Sequence, residues 1–176
     1  IKLGPIARSL VMTADDIFYG QPIFKAIESE DVEEVKRWVR IGDINVASAF
    51  DDSTYLMLAV RKSNVEIIKL LIEAGANFDA KNDVGDMAIH LAAKSGDISV
   101  MKAFYEKGCD LDLMGQSATP IGYALRFGRL EVAKYLAKCG ANIDVADEFG
   151  VTARDFAMSK GIQLSDGFSS GLPKAE

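Results

Sequence analysis

The sequence predicts an all-α solenoid of stacked helix-turn-helix units with projecting β-turns. Three observations carry that prediction. An alanine recurs at Ala26, Ala59, Ala92, Ala124 and Ala157, with spacings of 33, 33, 32 and 33. A glycine recurs in the same phase at Gly42, Gly75, Gly108 and Gly140, with spacings of 33, 33 and 32. Between the two rulers, apolar residues keep helical rather than strand spacing. A fixed period of this length marks a repeat architecture, in which each unit buries its apolar face only against its neighbours.

Each unit opens on a short first helix around its alanine: "PIFKAIESED", "YLMLAVRKSN", "AIHLAAKSGD", "PIGYALRFGR" and "ARDFAMSKGI". At Thr119-Pro120 a threonine can cap the helix and a proline fits its first turn. A break such as Ser95-Gly96 follows, and Asp31, Asn64 and Asp97 then stand where they can cap a second helix. That helix carries Ile67, Ile68, Leu70 and Leu71 in one unit, Val100, Met101 and Phe104 in the next, and Val132, Tyr135 and Leu136 after that. The recurring glycines suit the left-handed residue that ends a helix. Polar stretches such as "GANFDAKNDVGD" then suit a turn projecting from the stack.

With these motifs in place, the chain resembles the ankyrin-repeat family, whose motif is D-x-x-G-x-T-P-L-H-x-A-A-x-x-G-x-x-x-V-V-x-L-L-L-x-x-G-A. The third unit keeps Gly85, Ile89, His90, Ala92, Ala93 and Gly96. The second ends in "IIKLLIEAGAN", and the fourth keeps Thr119, Pro120, Ala124, Gly128 and "GAN". The resemblance covers residues 16–161, four full repeats and a C-terminal half-repeat. Residues 1–15 are an N-terminal arm or an extra helix, since Ile6 and Leu10, and Ala7 and Val11, stand four apart. Residues 162–176, rich in Gly and Ser, read as a flexible tail. Polar Glu34 and Arg37, in the places of Ile67 and Leu70, suit a terminal helix with one wet face.

The single histidine, His90, falls on the T-P-L-H position. The resemblance implies a structural imidazole tied to turn backbone, and a neutral ring with one donor and one acceptor suits that task. Phe24, Met57, Gly122 and Asp155 hold the equivalent positions, so those units lack this bracket.

No catalytic constellation is present in the sequence. With its histidine assigned, the chain offers no Ser-His-Asp or Cys-His set, no G-x-x-x-x-G-K-[ST] loop and no Cys-x-x-Cys pair. Acid pairs such as Asp15-Asp16 and Asp51-Asp52 read as solvated turn residues. The chain is read as a non-enzyme with no cofactor and no metal. The net charge is −6 and no basic cluster stands out, so nucleic acid is not an expected partner. Two cysteines, Cys109 and Cys139, are too few for a disulfide framework. No apolar run reaches the ~20 residues of a membrane-spanning helix. The chain opens on Ile1 rather than methionine, which hides any targeting signal. A cytoplasmic location is the default, and an exported or periplasmic one the alternative.

Function is therefore expected from surface. The resemblance implies that turn tips and first helices line a concave groove that grips another protein. Basic residues recur at the exposed first-helix positions of successive units: Arg61, Lys62, Lys94 and Arg126, the last followed by Phe127. Aromatics mark the turn tips at Phe18, Tyr19, Phe50 and Phe149. Arginine and aromatic side chains are what interface hot spots favour. The expected role is a protein–protein interaction module, monomeric on its own, whose partner could be an enzyme. The alternative is a dedicated inhibitor or immunity-type protein that occludes a partner enzyme's active site.

Overall fold

A computed structural model describes residues 21–164. The N-terminal arm, Phe18, Tyr19 and all but the first residues of the tail lie outside this range. The chain divides into two compact units, Ile1–Leu91 and Ala92–Glu176. The described residues form nine helices and no extended sheet.

The first unit holds α1 (Pro22–Glu28), α2 (Val32–Trp38), α3 (Tyr55–Arg61), α4 (Val65–Glu73) and the start of α5 (Ala88–Ser95). Helices α1 and α2 form one hairpin, α3 and α4 the next, with α1 packed on α3 and α2 on α4. The second unit holds the end of α5, α6 (Ile98–Glu106), α7 (Pro120–Arg126), α8 (Leu130–Lys138) and α9 (Ala153–Ser159). There α7 pairs with α8, α6 packs on α8 and α7 on α9.

The helices are short, seven to nine residues, and too short to be stable alone. Packing of one apolar face holds them. Ile67, Ile68 and Leu71 in α4, and Val100, Met101 and Phe104 in α6, are fully buried, as the helical spacing predicts. Each such side chain contributes about 1.5–3 kcal/mol of transfer free energy. The period alanines Ala59, Ala92 and Ala124 are also fully buried, where a larger side chain would overfill the joint.

The predicted caps form. Asp31 accepts from the Glu34 N–H, Asn64 from that of Ile67, and Asp97 from those of Ser99 and Val100. The fourth unit departs from the pattern: Arg129 stands in the cap position and its side chain makes no cap hydrogen bond. Its Nε donates instead to the Lys94 carbonyl at 2.9 Å. At the first helices, Thr54 accepts from Met57, and Thr152 forms a reciprocal capping box with Asp155. Thr119 holds the cap position of α7 without a side-chain cap bond.

Gly75, Gly108 and Gly140 adopt the left-handed backbone expected of helix-ending glycines, with φ of 92°, 76° and 93°. Gly42 does not. Helix α2 ends early, at Trp38, and the Ile41 and Gly42 N–H groups both donate to the Trp38 carbonyl through successive turns. A further left-handed position sits just after each first helix, held by Glu30, Ser63, Gly96, Gly128 and Gly161.

Side chains also tie one loop to the next. Asn45 Oδ1 accepts from the Asn77 N–H at 2.9 Å, and Asp112 Oδ1 from that of Asn142 at 2.7 Å. Main-chain bonds link the turn tips in the same way, from Asp83 N–H to Asp51 carbonyl at 3.0 Å and from Glu148 N–H to Ser117 carbonyl at 3.1 Å. Two of the tips close on themselves through a single antiparallel bridge, at Ala47–Thr54 and at Ala146–Thr152. Cys109 is buried, Cys139 half-buried, and neither is in a disulfide.

Candidate partner-binding surfaces

His90 is fully buried, and its Nδ1 accepts the Met87 N–H at 3.2 Å. Met87 stands in the threonine position of the motif, so the imidazole satisfies a turn N–H as the sequence implied. In the units without a histidine, other groups serve. Thr54 accepts the N–H of Met57 itself, and Asp155 takes the N–H and hydroxyl of Thr152. At Gly122 the backbone is close-packed: an added Cβ would stand 2.9 Å from that of Ala118.

In the first unit, Phe50 projects from a turn tip with 82% of its surface exposed. The Phe50 N–H donates to Ser48 Oγ, which shapes the tip and leaves the ring outside. Arg61, at the end of α3, reaches the same tip, donating to Ser53 Oγ at 2.7 Å and to Asp51 Oδ2 at 3.3 Å. Burial works against the Asp51 carboxylate, yet hydrogen bonds from Ser53 and Ser48 and the nearby Arg61 hold its pKa below the ordinary value. Lys62 pairs with Glu28 at 2.9 Å.

In the second unit the cations and aromatics interleave. Phe127 stacks on Tyr123, ring centres 6.2 Å apart and planes 5° from parallel. Lys94 Nζ lies 4.6 Å from the Tyr123 ring centre and 5.6 Å from that of Phe127. Tyr123 is buried, so Phe127 is the exposed half of the pair, at 51%. Arg126 points to the turn tips, donating to Ser117 Oγ at 3.1 Å and pairing with Asp147. Its guanidinium also lies 5.5 Å from the ring centre of Phe149, which is 73% exposed. Burial opposes the charge on Asp147, but the N–H groups of Val151 and Phe149 and the Arg126 guanidinium bring its pKa below the ordinary value.

The sequence-predicted residues thus fall into two groups. Phe50, Phe127 and Phe149 are exposed, and Phe50 and Phe149 hold equivalent tips three periods apart. Arg61, Lys62, Lys94 and Arg126 are all engaged within the chain. Arg61 and Arg126 brace turn tips, while Lys62 and Lys94 bind to neighbouring first helices. Sequence reasoning missed Tyr123, Ser117 and Asp147. Tyr123 was within reach, since a residue four before Phe127 shares its helix face. Asp147 was not, because it stands 21 residues from Arg126 on the next tip.

Short helix hairpins at a 33-residue period, joined by bridged turn tips, define a helical repeat protein. The chain belongs to the ankyrin-repeat family: the family model for ankyrin repeats, in three copies, matches residues 56–147, just over half the chain. It is similar to E3 ubiquitin-protein ligase Ufd4 of Drosophila melanogaster, 34% identical over 119 residues, covering 66% of this chain and 4% of that protein. It is also similar to E3 ubiquitin-protein ligase hecd-1 of Caenorhabditis elegans, 33% identical over 106 residues, covering 60% and 4%. A third relative is the putative ankyrin repeat protein FPV014 of fowlpox virus, 27% identical over 146 residues, covering 81% and 33%. The chain therefore spans a small part of the length of these relatives. Ankyrin repeats are protein–protein interaction modules, and the repeat itself is non-catalytic. Among the described residues no helix is long and apolar enough to cross a membrane.

Proposed function

We propose that this chain binds a partner protein through the turn tips and first helices of its repeats. In the first unit the contact residues are Phe50, Arg61 and Lys62. In the second they are Phe127 and Phe149, flanked by Lys94 and Arg126. Phe18 and Tyr19, which the sequence reading takes as turn-tip aromatics, belong to the same proposal and lie outside the described residues. The groove lined by tips and first helices is the side the family resemblance assigns to partners.

The observation that carries this reading is the exposure of three phenylalanines, 51% to 82%, two on turn tips and one at the end of a first helix. The cations beside them are matched internally, while each ring keeps half or more of its surface exposed. Large aromatic side chains at the centre of a contact supply most of its free energy. The braced arginines keep the tips ordered before binding, which lowers the entropy lost on association.

The test is affinity capture from the source lysate, comparing wild-type protein with a Phe50→Ala/Phe127→Ala/Phe149→Ala variant of unchanged circular dichroism. The expected result is a protein retained by the wild type and lost by the variant. Retention of the same protein by both would move the contact to another face.

A further inference from the structure

A small cavity lies in the second unit between α7 and the turn tip that leads into α9. Ala118, Thr119, Gly122, Arg126 and Asp147 are among its walls. The repeat explains why space is left here. One period earlier the positions of Ala118 and Gly122 are held by Asp86 and His90, and both are fully buried. Two polar side chains are thus cut to a methyl and a hydrogen at one spot. Gly122 has no room to regain a side chain, because its Cβ would stand 2.9 Å from that of Ala118.

The shortening strands a polar group. Thr119 is 3% exposed, yet its hydroxyl makes no hydrogen bond among the described residues. That hydroxyl oxygen lies 3.7 Å from where a Gly122 Cβ would be, so it faces the missing side chain. In the neighbouring repeats the residue three positions on serves this turn: His90 accepts from the Met87 N–H, and Asp155 from the N–H and hydroxyl of Thr152. For Thr119 that residue is Gly122. On another wall, the Asp147 carboxylate accepts from the N–H groups of Phe149 and Val151 and from Arg126. A carboxylate offers about four lone-pair sites, so capacity for a further donor remains.

We propose that this cavity binds one ordered water, which bridges Thr119 Oγ1 to the Asp147 carboxylate. Size decides for water over a larger ligand. The space open to the centre of a water molecule is about 10 Å³, room for roughly one such molecule. The chemistry agrees, since water donates to the carboxylate and also bonds the hydroxyl. A buried hydroxyl without a partner is costly, and a bridging water is nearly as good as a direct bond. The water ties the start of α7 to the tip that carries Phe149. Asp112 makes such a tie directly, through the Asn142 N–H.

The experiment combines a crystal structure of the full chain, at a resolution that orders buried solvent, with water oxygen-17 relaxation dispersion in solution. Wild type, Thr119→Val and Thr119→Ser are compared. The wild-type crystal should show one solvent peak within hydrogen-bonding reach, about 2.7–3.0 Å, of both Thr119 Oγ1 and an Asp147 carboxylate oxygen. Thr119→Val keeps the side-chain shape without the hydroxyl, and should lose one long-lived water per chain from the dispersion. Thr119→Ser should retain it. A dry cavity in the wild type overturns the proposal, as does a Thr119 hydroxyl turned onto a protein group; this crystal decides even if a variant fails to fold. Equal dispersion in Thr119→Val and wild type also overturns it. So does an equal loss in Thr119→Ser, which would assign the effect to packing of the methyl group.

Discussion

The Met87 N–H donates to Nδ1 of His90 inside a fully buried turn. The ring stands three residues from its partner and closes the entry to α5 from within. Replacing His90 with alanine leaves that N–H without its acceptor and opens a void. The expected cost is on the order of 1–3 kcal/mol, read as a lower urea midpoint. Partner binding well below the melting temperature should survive. A stability equal to wild type would remove the bracket.

Ser63 holds a left-handed backbone, φ 55°, at the position where later repeats carry Gly96, Gly128 and Gly161. A Cβ is strained there, and glycine relieves the strain while adding freedom to the unfolded chain. The balance favours Ser63→Gly by roughly 0.5–1 kcal/mol. Ser63 is exposed, so little else is lost. A variant less stable than wild type in urea would contradict this account.

Arg126 and Phe127 are adjacent in sequence but should separate in effect. Arg126→Ala removes a charged partner from Asp147 and a donor from Ser117, and should lower stability by about 1–2 kcal/mol. Phe127→Ala loses its stacking on Tyr123 from an already half-exposed position, a cost of about 1 kcal/mol or less. Calorimetry against the captured partner should show the larger affinity loss for Phe127→Ala. The reverse order in both measurements would exchange the two roles.

The Asp147 carboxyl titrates below its ordinary value of 3.8 in the folded chain. A depressed acid stabilises the fold above its unfolded pKa, and the contribution fades as pH falls through the folded pKa. The difference in stability between wild type and Asp147→Asn should therefore be constant near neutrality and shrink below about pH 4. Denaturant midpoints from pH 2.5 to 7 measure it, and a difference that persists undiminished at the acid end would exclude the carboxylate as its source.

Much of this fold was legible because the repeat reads the same constraint several times. Asp31, Asn64 and Asp97 share one phase and one task, so each supports the others, and the apolar run of Ile67 to Leu71 fixes which face is inward. His90 was legible only through the family motif, since a lone imidazole between apolar residues has several chemical readings. The engagement of Arg126 was hidden because its partner sits on a different tip. Lys94 was hidden likewise, since its rings belong to another hairpin. Glu30 and Ser63 concealed a left-handed position that glycine would have announced. Gly42 misled for the opposite reason: its spacing matched, but α2 ends before it. The exposure of Phe50, Phe127 and Phe149 was legible from their positions, while the pairing of the neighbouring charges needed coordinates.

The hydrogen bonds named here reach at most 35 positions along the chain, the separation of Arg129 from Lys94. That range has a kinetic consequence. A fold stitched only between adjacent periods closes short loops, so its contact order is low and its assembly fast for its size. Any hairpin can serve as the nucleus, with its neighbours condensing outward from it. Under tension or at rising temperature the same property favours unzipping from an end. A chain stretched in an optical trap should then yield in successive small steps instead of one rupture.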